Sequence, residues 1–217
     1  AKGYNIIKLD FTEPEKSQGY NPLAAVKRNK DGSIYEPDVK AIADAISPVN
    51  SGCKEPYWDM SAASMIEFVI AYALEALPKE YHSMTSVLEL FHTYIQNNGD
   101  AYFIKWIKDN PNSLSARMFS ETQATRPSER TFASTAGIVA SHLNCFNMKE
   151  LRYIFDNKIS VDLADIGRRK TAVFIKTSDT EHNLDNIVSC FIPKTCRHWG
   201  GKLIKTLKAG LPGLGII

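Results

Sequence analysis

Histidine and cysteine are the side chains of this sequence best suited to nucleophilic or metal chemistry, and neither type forms a recognisable site. No two cysteines form a C-x-x-C pair, and the histidines follow no spacing typical of a catalytic triad or a metal centre. His142 and Cys145 lie one helical turn apart, which would supply half of a metal site, but zinc takes three or four ligands. We therefore interpret them as ordinary helix residues and predict no catalytic residue and no bound metal. The residues concerned are His82, His92, His142, His182, His198, Cys53, Cys145, Cys190 and Cys196.

The sequence also lacks a glycine-rich loop suited to holding a phosphate. Gly210, Gly213 and Gly215 are closely spaced, but no Lys-Ser or Lys-Thr follows them, as the pattern G-x-x-x-x-G-K-[S/T] requires. Phosphoryl transfer depends on such a loop and on a carboxylate that holds Mg²⁺. These residues are therefore predicted not to hydrolyse ATP and to carry no cofactor of their own.

Three polar side chains follow an apolar run near the carboxyl-terminal part of the sequence. Residues 171–177 are mostly apolar or β-branched, which predicts a buried strand. Thr177, Ser178 and Asp179 come at its end. Ligands favour the carboxyl ends of parallel strands in α/β sheets, so these three side chains are candidates to lie near a ligand. The alternative is a simple loop or helix cap.

The elements that position these residues are organised around the apolar segment 56–77. Its apolar side chains recur at steps of three and four residues, which predicts a helix. Phe68 and Tyr72 widen the apolar stripe, so we expect a central helix with neighbours on several sides. Asp59 or Ser61 is predicted to cap this helix, and Trp58 is predicted to be largely buried.

Charged residues interrupt that helix and exclude a membrane span. Glu67 and Glu75 break the apolar run, whereas a bilayer requires about 20 predominantly apolar residues. We therefore interpret it as the core helix of a soluble protein.

Two predicted strands enclose a long helical region. Residues 4–11 form a short apolar run typical of a strand, almost everything from residue 56 to about 156 has helical periodicity, and residues 171–177 return to a strand pattern. A shorter helix is predicted over 38–46. Within the long helical region Ser83 is predicted to cap one helix, Ser113 or Asn112 to open another, and Asn147 to cap the last. The fold class is therefore predicted as mainly α, with an all-helical insertion flanked by strands of an α/β domain. The predicted parts are a partial α/β domain over 1–50, the all-helical insertion over 51–160, the returning strand over 161–190 and an atypical tail over 191–217.

The length of the chain suits one hydrophobic core plus an insertion, and its charged residues are unevenly distributed along the sequence. The 217 residues carry a formal net charge of +2. Residues 191–217 hold five basic and no acidic residues, so the remainder has 21 basic and 24 acidic residues, a net of −3. The body of the chain is therefore not a polybasic nucleic-acid binder. The cysteine usage fits a reducing compartment.

Four short motifs, in order along the chain, resemble one known family. The sequence is similar to type IV secretion coupling proteins of the TraG/TraD kind, the ATPases that feed DNA and proteins into conjugation machinery. The matching stretches are GYNIIKLD at residues 3–10, SQGYNPL at 17–23, PYWD at 56–59 with Ala62-Ala63, and TAVFIKTSD at 171–179.

The resemblance implies a larger parent protein with a RecA-like P-loop α/β domain. Such a parent would use ATP and Mg²⁺ and form a homohexamer on a membrane secretion channel, at the cytoplasmic side of the bacterial membrane. In that family the phosphate-binding loop precedes the segment matched here and the acidic Walker B strand follows it. The sequence is thus interpreted as an excised piece, itself soluble and monomeric and without ATPase activity. Within the parent, Thr177, Ser178 and Asp179 would lie near the nucleotide.

The resemblance also implies that the helical insertion recognises cargo, which would be a relaxase or another protein, or DNA itself. Residues 101–160 carry eight basic and five acidic side chains, a net of +3; the alternative is a solvated surface of mixed charge. Tyr102, Phe103 and Trp106 would stack on bases or, alternatively, belong to the core. Because residues 1–190 have a net charge of −3, we expect weak or no binding to bare DNA and favour protein cargo. The candidate contacts are Lys105, Lys108, Arg117, Arg126 and Arg130.

The tail matches nothing expected of this family. Residues 191–217 have no amphipathic period. Codons that encode them can, however, be translated in a neighbouring reading frame to give a sequence similar to that of the family at this position. We therefore hypothesise that the frame slips near Cys190, and that the tail is out-of-frame translation without a packing role.

Two other functions remain open from the residues alone. One is a free-standing nucleotide-binding enzyme, and the other is a helical protein-interaction module unrelated to conjugation. A nucleotide titration followed by thermal melting separates an enzyme from an interaction module, because a ligand at 100 times its Kd stabilises by about 2.7 kcal/mol.

Overall fold

The two strands that the sequence places far apart are neighbours in one sheet. The computed structural model describes residues 3–48, 56–123, 126, 128–156, 160–161, 170–177 and 215–216. Strand β1 (Asn5–Asp10) pairs in parallel with β2 (Thr171–Lys176), in a register that places Asn5 opposite Thr171 and Asp10 opposite Lys176. A two-residue strand, β3 (Gly215–Ile216), pairs antiparallel with β2. The predicted mainly helical fold with flanking strands is confirmed.

The β1–β2 pair has one buried and one exposed face, because successive side chains of a strand point to opposite sides. Leu9 is 0% and Ile175 6% exposed on the inner face. On the outer face Ile6 is 42% and Phe174 39% exposed. The core of the protein therefore lies on the inner side of the sheet.

Among the described residues, the edge of β1 that faces away from β2 is covered by the loop that follows this strand. The backbone N–H of Gln18 donates to the carbonyl oxygen of Lys8 over 3.1 Å. The side chain of Gln18 in turn accepts from the Lys8 N–H over 2.6 Å, and the Ser17 hydroxyl accepts from the Asp10 N–H over 2.9 Å. These bonds occupy backbone groups that an edge strand otherwise leaves open to another chain.

Helix α1 (Glu36–Ile46) precedes the central helix α2 (Tyr57–Ala76). The helix predicted from Asp38 begins two residues earlier, at Glu36. Pro37 fits its first turn, because proline's missing N–H has no helical partner there. In α2 most side chains from Ala62 to Leu74 are buried. Helix α2 packs against α1 and against four later helices, so its predicted central position is confirmed.

The predicted start of α2 is wrong. The helix begins at Tyr57, with Pro56 in the N-cap position and no side-chain cap. Asp59 instead lies in the first turn, where its negative charge favours the positive end of the helix dipole. Trp58 lies in the terminal turn and is partly buried, and its ring meets that of Tyr57, 5.4 Å away between centroids. The predicted burial of Trp58 is therefore confirmed in part.

Helices α3 (Met84–Ile95) and α4 (Asp100–Asp109) are joined by a tight turn. The Ser83 side chain caps α3 by accepting from the Ser86 N–H over 3.2 Å, as predicted. In the turn, Asn98 has a φ of 59°. A Cβ at Gly99 would lie 2.0 Å from the carbonyl oxygen of Thr93, so only glycine fits this close approach of the two backbones.

Helix α5 (Leu114–Thr122) is fixed to the end of α2 by one carboxylate. The Glu75 side chain accepts from the N–H groups of Leu114 and Ser115 over 3.1 and 2.9 Å, and from the Ser115 hydroxyl over 2.7 Å. Of the two residues predicted to open α5, Ser113 rather than Asn112 caps it, accepting from the Ala116 N–H over 3.1 Å.

Helices α6 (Glu129–Leu143) and α7 (Lys149–Phe155) complete the helical part, which we call the helical block (α2 to α7). Ser128 caps α6 by accepting from the Thr131 N–H over 3.2 Å. The helix ends in a 3₁₀ turn over Asn144–Asn147, and Met148 rather than the predicted Asn147 occupies the N-cap position of α7.

The SQGYNPL segment ties the sheet to the helical block. The Tyr20 N–H donates to the Ile154 carbonyl over 2.8 Å. Asn21 makes three hydrogen bonds. Its backbone N–H donates to the Ser160 hydroxyl and its side-chain Nδ2 donates to the His82 carbonyl oxygen, while its Oδ1 accepts from the Leu23 N–H. This motif therefore has a structural role that its sequence alone does not show.

None of the described helices combines the length and apolarity that crossing a bilayer requires. Apart from β3, the tail over 191–217 lies outside the described residues, as do the junctions near residues 50 and 190, so the predicted domain boundaries and the out-of-frame tail stay predictions.

Candidate functional site

The first candidate site is the carboxyl edge, where β1 and β2 end side by side. Asp10 is the last residue of β1, and Thr177 follows β2 and is half-buried. Ser178 and Asp179 lie outside the described residues. The structure thus brings Thr177 to the edge at which ligands approach parallel sheets, and its proximity to a nucleotide stays a prediction.

Asp10 is a fully buried polar group at this edge, and sequence reasoning missed it. Its side chain is 0% exposed. One carboxylate oxygen, Oδ1, accepts from the Thr12 N–H over 3.1 Å, from the Thr12 hydroxyl over 2.8 Å and from the Glu13 N–H over 3.0 Å. The signal in the sequence is the acid at a strand end followed by a hydroxyl residue, a pattern typical of Asx turns.

Two lysines flank the other oxygen of Asp10. The distance from Oδ2 to the Lys8 Nζ is 3.0 Å, and to the Lys176 Nζ 3.7 Å. Burial alone would raise the pKa of Asp10, but the hydrogen bonds from the Thr12 hydroxyl, from Lys8 and from the amides of Glu13 and Thr12 outweigh it and hold the pKa below its ordinary value. The carboxyl edge therefore holds a buried carboxylate that is ionised at neutral pH and lies between two cations.

The Asp10→Asn variant is expected to lose stability in a pH-dependent way. At pH 7 the free energy of unfolding should fall by about 1–3 kcal/mol, because buried donors of Thr12 and Glu13 lose a charged acceptor. The folded pKa lies below the ordinary 3.8, so the carboxylate stabilises the fold above that pH and ceases to do so as the pH falls through the folded pKa. Urea unfolding at pH 7 and at several values below 4 should show the difference from the parent protein shrinking with acid. A difference independent of pH would contradict this account.

The second candidate site is the surface that carries the predicted cargo contacts. Lys105 and Lys108 lie on α4 and are exposed. The three aromatic side chains beside them differ in exposure. Tyr102 is 54% and Phe103 0% exposed. Trp106 is half-buried, and its ring centroid lies 5.5 Å from that of Tyr72. Phe103 therefore belongs to the core, whereas Tyr102 remains available for contacts.

Arg117 and Arg130 are also exposed, but they differ in their surroundings. Arg117 on α5 forms an ion pair with Glu36 of α1 and lies 3.8 Å from Glu121. Arg130 lies in the first turn of α6. Arg117 thus spans two elements, whereas Arg130 is a simple surface cation.

Arg126 lies between helices rather than on the open surface. Its guanidinium carbon is 3.9 Å from the ring centroid of Phe132 and 4.6 Å from that of Tyr94. One Nη2–H donates to the Tyr94 carbonyl over 2.7 Å, and Asp100 is 3.8 Å away. These contacts join α3, α4 and α6, which favours a structural role for this side chain.

The His142–Cys145 pair lies among helix residues, with Cys145 buried and His142 half-buried. The Cys145 thiol donates to the His142 carbonyl over 3.6 Å. Burial raises the pKa of Cys145 to about 12 and lowers the pKa of His142, so burial disfavours the thiolate that a metal would require. Within the described residues no group of three or more His, Cys, Asp or Glu side chains is arranged to hold a metal ion.

Comparison with protein families relates the part of the chain from β1 to β2 to conjugation. A family model described as type IV secretory system conjugative DNA transfer matches residues 1–194. The matched range includes β1, the helical block and β2, and with them every candidate residue named above. A comparison with curated proteins found no match.

Proposed function

The chain belongs to the type IV secretory system conjugative DNA transfer family, and we propose that its helical block recognises protein cargo for transfer. The expected cargo is a relaxase or another protein delivered with the DNA. We propose recognition rather than catalysis for these 217 residues, because the sequence has no phosphate-binding loop, on which phosphoryl transfer depends.

The observation that carries this proposal is the outer side of α4. Tyr102, Lys105 and Lys108 are all exposed there, and we call them the α4 strip. Residues three apart lie on neighbouring parts of a helix surface, so an aromatic ring and two ammonium groups face the solvent together. Phe103, fully buried in the same helix, fixes α4 to the core and makes the strip a rigid support.

Charge favours a protein partner over bare DNA. Residues 1–190 carry a net charge of −3, and affinity for DNA rises with the number of phosphates that a protein neutralises. Of the five basic candidates, Arg117 and Arg126 already make contacts within the chain. Two lysines with one tyrosine suit an acidic protein surface, since electrostatic complementarity sets partner choice and orientation.

The test is the double variant Lys105→Glu/Lys108→Glu, measured for binding to the relaxase of the same conjugative element by biolayer interferometry. We expect the Kd to rise at least about tenfold, because like charges placed across an interface are strongly unfavourable. The matched control is Lys79→Glu/Lys149→Glu, which makes the same charge change at two exposed lysines outside the α4 strip.

Two outcomes would refute the proposal. One is an equal loss in both double variants, which would indicate a general charge effect rather than recognition by α4. The other is tight binding of the unmodified chain to single-stranded DNA that weakens steeply as salt increases, since that would identify nucleic acid as the primary ligand.

A further inference from the structure

A small pocket of about 220 Å³ opens between the start of α2 and the end of α5. Its volume is below the range of about 300–1,000 Å³ typical of small-molecule pockets, so it suits a single side chain. The apolar part of its lining is Tyr57, Met60 and Met65. Tyr57 is 51% and Met60 57% exposed, and both residue types are enriched where proteins bind one another.

Three polar side chains complete the lining and offer oxygen atoms as acceptors. Ser61 and Ser64 lie three residues apart on α2, so they occupy neighbouring parts of one helix surface. Glu121 lies on the α5 side. Within the described part of the chain neither serine hydroxyl has a hydrogen-bond partner, and the Glu121 carboxylate has one contact, 3.8 Å from the Arg117 guanidinium. Two hydroxyls and a carboxylate match the three N–H donors of a lysine ammonium group.

The charge around Glu121 is negative although Arg117 is near. The closer partner of Arg117 is Glu36. Burial raises the pKa of Glu67 above its ordinary value against the effect of Lys40, and Asp44 and Glu121 add to the rise. A cation bound at Glu121 therefore reduces the repulsion among these carboxylates, whereas an anion would increase it. The connected group has four acidic and two basic side chains, a net of −2, and consists of Glu36, Asp44, Glu67, Glu121, Lys40 and Arg117.

The position of Glu121 within α5 adds to the preference for a cation. The carbonyl groups at the end of a helix carry a partial negative charge, which a nearby cation stabilises. The last turn of α5, residues 119–122, contains Glu121 and no basic residue. The carboxylate and the helix end therefore both attract a positive group, and α5 supplies none there itself.

We propose that this pocket, which we call the Glu121 pocket, binds a lysine side chain of a partner protein. The aliphatic stem of the lysine lies against Tyr57 and Met60, as long charged side chains do on apolar surfaces. Its ammonium group donates to the Glu121 carboxylate and to the hydroxyls of Ser61 and Ser64. This site goes beyond cargo recognition by the α4 strip, because it takes the opposite charge and uses other elements.

The test uses two blocked nonapeptides of glycine, serine and alanine that differ only at the central residue, lysine in one and N-acetyl-lysine in the other. Each is titrated into the full 217-residue chain and followed by NMR. The lysine peptide should shift the amide signals of Met60, Ser64 and Glu121, and it should bind at least about fivefold more tightly than the acetylated one, which lacks the charge. Glu121→Gln should weaken its binding at least about fivefold, and Ser61→Ala/Ser64→Ala about threefold.

Two further variants separate this site from a general charge effect. Arg117→Gln should tighten binding of the lysine peptide about twofold, because Glu121 loses a competing cation. Glu80→Gln removes a carboxylate at an exposed position beyond the other end of α2 and should leave the affinity unchanged. Thermal melting confirms that each variant is folded. The peptides contain no acidic residue for the α4 strip to bind, so the result does not depend on cargo recognition there.

Four outcomes would overturn the proposal. They are equal or tighter binding of the acetylated peptide, equal losses in Glu121→Gln and Glu80→Gln, weaker binding in Arg117→Gln, and the absence of any shift at millimolar peptide.

Discussion

Phe68→Ala should lower the free energy of unfolding by about 3–5 kcal/mol, the range for a fully buried aromatic side chain whose cavity cannot collapse. The Phe68 side chain is 0% exposed in the middle of α2. Its ring centroid lies 5.2 Å from those of Tyr94, Phe103 and Phe119, which belong to α3, α4 and α5. Removing it therefore leaves a void bordered by four helices, none of which can close it alone.

Urea denaturation followed by circular dichroism measures this effect. The matched control is Phe174→Ala on the outer face of β2, where the ring is 39% exposed and less apolar area returns to water. A loss below about 1 kcal/mol for Phe68→Ala, the size typical of an average substitution, would show that the ring is not the centre of the core.

Arg126→Ala should cost about 2–4 kcal/mol, because it removes a charge-assisted hydrogen bond to the Tyr94 carbonyl and a partly desolvated cation–π contact. The side chain is 21% exposed, so solvent screens these interactions only in part. Loss of the guanidinium also separates Phe132 of α6 from Tyr94 of α3, which it bridges.

Arg126→Lys distinguishes this geometry from a simple charge effect. An ammonium group keeps the charge but lacks the planar fork that stacks on a ring while donating to a carbonyl, so lysine should restore less than half of the lost stability. Arg130→Ala, at an exposed arginine four residues later, should be nearly neutral, within about 0.5 kcal/mol. Full rescue by lysine, or equal losses at both positions, would contradict a bridging role.

The periodic elements of this protein were predictable, because helices and strands are encoded by neighbours along the chain. The stripe from Ala62 to Leu74, the caps at Ser83 and Ser113, and the strand at Thr171–Lys176 all depend on spacings of a few residues. Where local rules compete, prediction was less accurate. At the start of α2, Asp59 and Ser61 both have side chains suited to capping, but the helix begins before them, with Pro56 in the N-cap position.

The chemistry of the candidate sites depends instead on residues far apart in sequence. Arg117 and Glu36 are separated by 81 positions, and Lys176 reaches Asp10 only because the two strands pair. Arg126 lies in a polar stretch that resembles a solvated loop, and nothing nearby in the sequence shows that Tyr94 will meet it. Such contacts follow from the assembled fold, so a single sequence does not reveal them.

The parallel pairing of β1 with β2 also has a consequence for biosynthesis. Asn5 pairs with Thr171, and a ribosome adding roughly 5–20 residues per second leaves β1 without its partner for about 10–30 s. During that interval the bonds from Ser17 and Gln18 to the backbone of Lys8 and Asp10 are already within reach, since loops this short close in well under a microsecond. Once these bonds form, backbone groups of Lys8 and Asp10 are occupied, so the nascent strand offers fewer of them to other chains while the helical block is being made.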